Sequence, residues 1–197
     1  LSAKLCLISE KFVLNCDNSK VFVFSKKDKN LISKYFKIDA LVTSFYIEKA
    51  VFDTSLDKID DYYVFYGTWK RRDNYEGLLW FFKNIYPFVD SRIKIKILGK
   101  GLEPFLKYFD YPNVEYLGFV KNPYLIISRS KGLIAPLFSG AGVKVKVIES
   151  LACGTIVIGT KIAFEGVDEL FSEYLIDIEN YNFEDCASFL NSYTPNL

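Results

Sequence analysis

Histidine and methionine are both absent from this chain of 197 residues. Without histidine there can be no Ser-His-Asp triad, no Cys-His pair and no imidazole metal ligand. Any chemistry falls to carboxylates, Lys, Arg, hydroxyls, thiols or backbone dipoles. Cysteine is sparse. Cys6, Cys16, Cys153 and Cys186 are scattered with no C-x-x-C, which argues against a disulfide framework or a zinc site and for reduced cytosolic thiols. No apolar run approaches ~18 residues, so no transmembrane helix is expected. An excess of one charge is also lacking: Lys plus Arg is 25 and Asp plus Glu is 24, which excludes a broadly basic surface for nucleic acid. With no Met and with Leu1 first, the expectation is a piece of a longer chain or a missing start. Residues 1–8 are too short an apolar stretch for a signal peptide.

What is present makes a core. Half the residues are hydrophobic and 25% are charged, a balance that excludes disorder. The 18 Phe, 14 Tyr and 2 Trp suit dense packing, and the length allows one domain or one and a fraction.

Periodicity divides the chain. Residues 1–16 read as helix, 19–25 as a buried strand, 26–36 as helix and 40–47 as strand. The polar run DTSLDKIDD at residues 53–61 reads as a linker. From residue 62 the pattern is regular. Residues 62–66 form an apolar strand ending at Gly67. The basic loop TWKRRDN leads into a helix with Leu78, Leu79, Phe82 and Ile85 on its apolar face, and Pro87 stops it. A strand at 93–98 is closed by Gly99 and Gly101. A short helix at 102–109, a strand at 114–118, a short helix at 125–129 and a strand at 132–136 follow. The loop SGAG at 139–142 then opens a helix over 143–152. Strands at 155–159 and 174–178 and a helix at 183–191 complete the series. This alternation predicts an α/β fold with a doubly wound parallel sheet, whose ligands bind beyond the carboxyl ends of the strands.

The segment SGAGVKVKVIESLACGTIVIGTKIAFEG, residues 139–166, carries most of the chemistry. A small-residue loop entering a helix offers backbone N–H groups and a positive dipole end to an anion. Lys144 and Lys146 oppose that dipole, which a multiply charged anion would explain. A tight turn with both lysines in solvent is the other reading. Glu149 shares a face with Lys146 and Gly142, while Val147, Ile148, Leu151 and Ala152 face the core. From the helix start to Glu149 is ~9 Å at ~1.5 Å per residue, about the reach from a phosphate to its ribose. Glu149 either accepts the two hydroxyls of a ribose or pairs with Lys146 on a wet face.

Lys70, Arg71 and Arg72 follow the strand that ends at Gly67. In a doubly wound sheet their loop shares a rim with residues 139–142, so the two loops either clamp a diphosphate or leave a solvated basic turn. Gly99-x-Gly101 lacks the third glycine of a dinucleotide fingerprint, since Pro104 stands there, so NAD is not expected. Asp177 and Glu179 resemble an acidic metal motif but read as an edge-strand surface.

Over residues 63–190 the chain resembles the carboxyl-terminal half of group-one glycosyltransferases with the GT-B fold. The segments that carry the likeness are FYGTWKRRDNYEGLLWFFKNIYP, KILGKG, NVEYLGFVKN, LIAPLFSGAGVKVKVIESLACGTIVIGT and FEGV. KVFVFSKKDKNLISKYF is similar to the last strand and helix of the family's amino-terminal lobe. The resemblance implies a Rossmann-like nucleotide-sugar-binding domain at residues 59–197. Residues 1–58 would be a remnant of the amino-terminal lobe with the inter-lobe linker. An apolar surface around residues 1–50 would then mark where the rest of that lobe packs, supplied by a longer chain or a separate one.

It further implies a glycosyltransferase of hexosyltransferase type that moves a sugar from a nucleotide-diphosphate sugar to a glycan or lipid-linked acceptor, with retention. No metal or other cofactor is required. Lys70, Arg71, Lys144 and Lys146 would stabilise the leaving diphosphate. Glu149 matches the second Glu of the family's Glu-x7-Glu motif, the ribose holder, whereas the first falls on Ala141. Gly67, Gly140, Ala141, Gly142 and Val143 would border the donor, with Phe119 and Val120 in the loop beside the nucleobase. Polysaccharide biosynthesis in the cytoplasm is the implied setting, and the reading allows peripheral association with the inner face of the membrane. Two rivals stand beside it. A non-catalytic sugar-nucleotide-binding subunit would explain Ala141. A GT-B-type sugar-nucleotide epimerase would need acid and base residues, including His, that are absent.

Overall fold

The computed structural model describes residues 3–14, 19–52 and 59–195. Packing divides the chain into two compact units, Leu1–Tyr46 and Ile47–Leu197. The linker expected at 53–61 falls largely on residues 53–58, outside the described residues. The division lies ahead of the expected 58/59 boundary because Val51 is fully buried in the core of the second unit.

The first unit contains α1 (Ala3–Leu14), β1 (Phe22–Val23), α2 (Lys26–Phe36) and β2 (Leu41–Val42). β1 and β2 run parallel, Phe22 beside Leu41 and Val23 beside Val42. The strands expected at 19–25 and 40–47 are two residues each, and among the described residues they pair with each other. Ser25 caps α2 by accepting from the Asp28 N–H at 3.0 Å and donates its hydroxyl to Asp28 Oδ2 at 2.7 Å. Ile8, Phe22, Phe24, Leu41, Val42 and Tyr46 are exposed.

The second unit opens with α3 (Lys49–Phe52) and continues through β3 (Tyr62–Tyr66), α4 (Arg72–Asn84), β4 (Lys94–Leu98), β5 (Val114–Gly118), α5 (Tyr124–Ser128), β6 (Gly132–Ala135), α6 (Val145–Ala152), β7 (Val157–Gly159), β8 (Leu175–Asp177) and α7 (Phe183–Ser192). Its six strands are parallel in the order β5-β4-β3-β6-β7-β8. Side chains alternate across the sheet with period two. Tyr63, Phe65, Ile95, Ile97, Ile134 and Ile158 pack on one face with Leu78, Phe81, Phe82 and Ile85 from α4 and its end, and with Ala187 and Leu190 of α7. Tyr62, Val64, Leu133, Ala135 and Val157 pack on the other with Tyr124, Ile127 and Val147. Helices on both faces make the six-stranded parallel sheet Rossmann-like, as the alternation predicts.

Several boundaries differ from the sequence reading. α6 begins at Val145, two residues late, because Lys144 is extended (φ −93°, ψ 104°) and occupies the position before the helix. The helix expected at 102–109 is a 3-10 turn, Glu103–Tyr108, with Pro104 in its first turn. Val147 is buried on α6 as expected. Its other fully buried residue is Ser150, whose hydroxyl donates back to Lys146 O at 2.8 Å. Asp177 and Glu179 cap backbone N–H groups, and Asp177 also lies 3.9 Å from the Lys161 ammonium. Asp177 accepts from the Glu179 N–H at 2.9 Å, and Glu179 accepts from the Lys161 N–H at 2.9 Å.

Candidate functional site

The chain runs from β3 outward to β4 and β5, then returns to lay β6 on the other side of β3. Tyr63 pairs with Gly132 and Val64 with Leu133 at this reversal. The loops leaving β3 and β6 therefore diverge beside one another at the carboxyl ends of the strands, and a crevice opens there. It is a cleft of about 560 Å³.

Glycine lets the walls approach. Gly99 has φ 114°, and a Cβ there would stand 1.7 Å from Gly67 O. Gly77 on α4 lies so close to the end of β6 that a Cβ would stand 2.1 Å from Pro136 O. Such contacts forbid any side chain and seat the start of α4 against the strand ends.

Two polar networks line the cleft. In the first, Lys146 Nζ donates to Asn74 Oδ1 at 2.7 Å, and Asn74 Nδ2 donates to Thr68 O at 3.0 Å. Asn74 is therefore fixed in orientation between the loop after β3 and α6. Beside it Arg71 donates two hydrogen bonds to Asp73, at 3.2 and 3.0 Å. Burial pulls the Lys146 ammonium down to about 8; Asp73 works against that, and Arg71 and Lys144 reinforce it. Burial works to raise the Asp73 carboxyl, but the Arg71 hydrogen bond and charge outweigh it and hold it below its ordinary value. Lys144 Nζ donates to Gly142 O at 2.6 Å and lies 3.6 Å from Glu165.

In the second network, Tyr124 donates its hydroxyl to Glu149 Oε1 at 2.9 Å. Burial raises the Glu149 carboxyl, the Tyr124 hydrogen bond lowers it, and the charge of Glu48 raises it. The surface pair of Glu149 with Lys146 considered from sequence is replaced, since each has another partner.

Of the residues singled out from sequence, Gly67, Arg71, Phe119, Val120, Ala141, Val143, Lys144, Lys146 and Glu149 line the cleft. Gly140 and Gly142 instead shape its loop, with φ 112° and 72°. Lys70 stands against Gly101, whose added Cβ would meet Lys70 Cγ at 2.7 Å, and near Glu103. Arg72 pairs with Glu76 at 2.6 Å and is 86% exposed. The sequence reading missed Asn74 and Tyr124. Asn74 is a polar residue on the buried stripe of α4 that also carries Gly77, Leu78 and Phe81, a signal legible from spacing. Tyr124 follows Asn122-Pro123 at a helix start, which marks the turn but not the distant carboxylate it meets. Lys100 also lines the cleft, with Nζ 4.2 Å from the Phe119 ring centroid. Among the described residues there is no group of three or more His, Cys, Asp or Glu able to hold a metal ion.

The family described as Glycosyl transferases group 1 matches residues 60–187. No curated protein sequence matches the chain. Among solved structures the fold is similar to Anabaena HepE in complex with UDP, with TM-score 0.73 and 11% identity over 97% of this chain and 58% of that one. It is similar to a variant of S. aureus TarM in complex with Fondaparinux, alpha-GlcNAc-glycerol and UDP, with TM-score 0.71 and 16% identity over 93% of this chain and 38% of that one. It is also similar to WaaG, a glycosyltransferase involved in lipopolysaccharide biosynthesis, with TM-score 0.62 and 12% identity over 90% of this chain and 54% of that one. The chain thus spans less than two thirds of the length of each of these proteins. With most of the second unit inside the family match, and its sheet and helices arranged as in GT-B glycosyltransferases, the chain belongs to the group 1 glycosyl transferases.

Proposed function

We propose that this chain is the carboxyl-terminal, donor-binding part of a retaining glycosyltransferase. The enzyme moves a hexose from a nucleotide-diphosphate sugar to a glycan or lipid-linked acceptor. One observation carries the reading: the cations Arg71, Lys144 and Lys146 and the carboxylate Glu149 line a single cleft at the strand-order reversal. Val145 to Glu149 is four residues of α6, or ~6 Å of helix rise, so a diphosphate at the helix start sets its ribose near Glu149. A carboxylate accepts both hydroxyls of a ribose. As the bond from sugar to diphosphate breaks, charge grows on the leaving group. The fixed ammonium of Lys146, the neighbouring cations and the first-turn amides of α6 stabilise it there. No bound metal is needed in this scheme. UDP in the HepE and TarM complexes supports a nucleoside diphosphate as the ligand class.

Ala141 in the cleft wall favours a second reading, a non-catalytic sugar-nucleotide-binding subunit, because no carboxylate stands there for the donor sugar. Calorimetric titration with UDP, GDP and ADP tests the shared core of both. One of the three is expected to bind, and failure of all three would overturn the donor-site reading. Adding the preferred nucleotide's sugar conjugates with glycan acceptors then separates enzyme from subunit.

A further inference from the structure

Tyr124 occupies the first position of α5, set there by its surroundings in sequence. Its N–H donates to Asn122 Oδ1 at 3.1 Å, and Pro123 ahead of it cannot continue a strand. The ring is 7% exposed and belongs to the core that α3, α5 and α6 share. Backbone and ring are both fixed, so the hydroxyl is delivered to one point, Glu149 Oε1 at 2.9 Å. We propose that Tyr124 is a positioning residue of the nucleotide site: its hydroxyl selects the Glu149 rotamer and keeps that carboxylate an ionised acceptor for the ribose hydroxyls. This rests on the reading of Glu149 as the ribose holder.

The surroundings of Glu149 explain why a holder is needed. Burial favours the uncharged acid, and Glu48, from the segment ahead of α3, adds charge of the same sign. Tyr66 at the end of β3 and Cys153 at the end of α6 also feel the Glu149 charge, and their own protons are held more tightly for it. Among the hydrogen bonds acting on Glu149, that from Tyr124 opposes burial. A protonated Glu149 would spend one oxygen as a donor and lose its charge, so it would hold a diol less well. Removing the hydroxyl therefore moves Glu149 protonation to higher pH, and the acid-side loss of nucleotide affinity moves with it.

The test uses the 197-residue chain, Tyr124→Phe, Glu149→Gln and the double variant. UDP and inorganic pyrophosphate are titrated by calorimetry from pH 5 to pH 8. Glu149→Gln is expected to weaken UDP about tenfold, the scale of a hydrogen bond to a charged group, and to leave pyrophosphate unchanged. Tyr124→Phe is expected to weaken UDP several-fold, to shift the acid limb of UDP binding up by about one pH unit, and to leave pyrophosphate unchanged. In the double variant the shift should vanish. If Glu149→Gln weakens UDP but Tyr124→Phe keeps the parent affinity and acid limb, the positioning role falls and the ribose reading stands. If Glu149→Gln leaves UDP binding intact, both fall. Equal loss of UDP and pyrophosphate in Tyr124→Phe would mean a disturbed fold and would also overturn the role. A measurement on the unsubstituted chain guards against a variant that does not fold. The Tyr124 hydroxyl proton should be protected from exchange by NMR and should shift with UDP but not with pyrophosphate; indifference to UDP would contradict the proposal.

Discussion

Lys146 Nζ stands 2.7 Å from Asn74 Oδ1, so an ammonium on α6 is held by a neutral amide at the start of α4. The amide fixes the cation without neutralising it, and burial holds its pKa at about 8. A bound diphosphate favours the charged form. Phosphate affinity should therefore be full below about pH 8 and fall as pH rises through it, with a proton taken up on binding in that range. Titrations with pyrophosphate at pH 7, 8 and 9, each in two buffers of different ionisation enthalpy, measure both effects. The folded pKa lies below the ordinary lysine value, so the charged form opposes folding at neutral pH. Stability of the unliganded chain should accordingly rise between about pH 8 and the ordinary lysine value.

The neutrality of Asn74 is itself testable. Asn74→Asp places a carboxylate against Lys146 that competes with the ligand for the same cation. Pyrophosphate binding should weaken about tenfold or more, because hydrogen bonds to charged groups contribute ~1.5–3 kcal/mol. Unchanged affinity would mean that Lys146 does not meet the phosphates.

Gly77 gives a prediction about stability alone. A methyl group there would press on Pro136 O from 2.1 Å, between backbones that cannot yield separately. Gly77→Ala should cost about 1–3 kcal/mol despite its better helix propensity, read from urea midpoints. A neutral or stabilising result would show that α4 does not pack this closely on β6.

Metal removal should be without effect. Under the proposed function, Arg71, Lys144 and Lys146 in the cleft wall take the place of a metal in neutralising the diphosphate, and the described residues hold no group of three or more His, Cys, Asp or Glu that could bind one. UDP affinity should be the same in EDTA as in magnesium or manganese. A strict metal requirement would contradict the proposed chemistry.

The second unit's sheet was legible because its strands are short and rich in apolar residues, and β3, β4, β5 and β7 end at or run into glycine. β3 and β5 have the expected bounds, and so does α2 in the first unit. Local pattern carries such elements. It does not carry the length of β1 and β2, which pair with each other over only two residues, nor the late start of α6, where Lys144 turns its ammonium back to Gly142 O and stays extended. The candidate site divides in the same way. Glu149 and Lys146 could be placed on one helix face from spacing. Their partners, Tyr124 and Asn74, are 25 and 72 positions away; Asn74 is brought to Lys146 as β6 returns beside β3, and Tyr124 to Glu149 by the packing of α5 on α6. Lys70 and Arg72 show the converse: three consecutive basic residues cannot all face one cleft, and Arg71 is the one that does.

A crystal structure of the chain grown with UDP tests the central claim most directly. The diphosphate should lie at the start of α6, within reach of Arg71 and Lys146, with the ribose hydroxyls hydrogen-bonded to Glu149 and the base beside Phe119 and Val120. UDP bound at the amino ends of the strands, or bound in the cleft with its ribose turned away from Glu149, would contradict it.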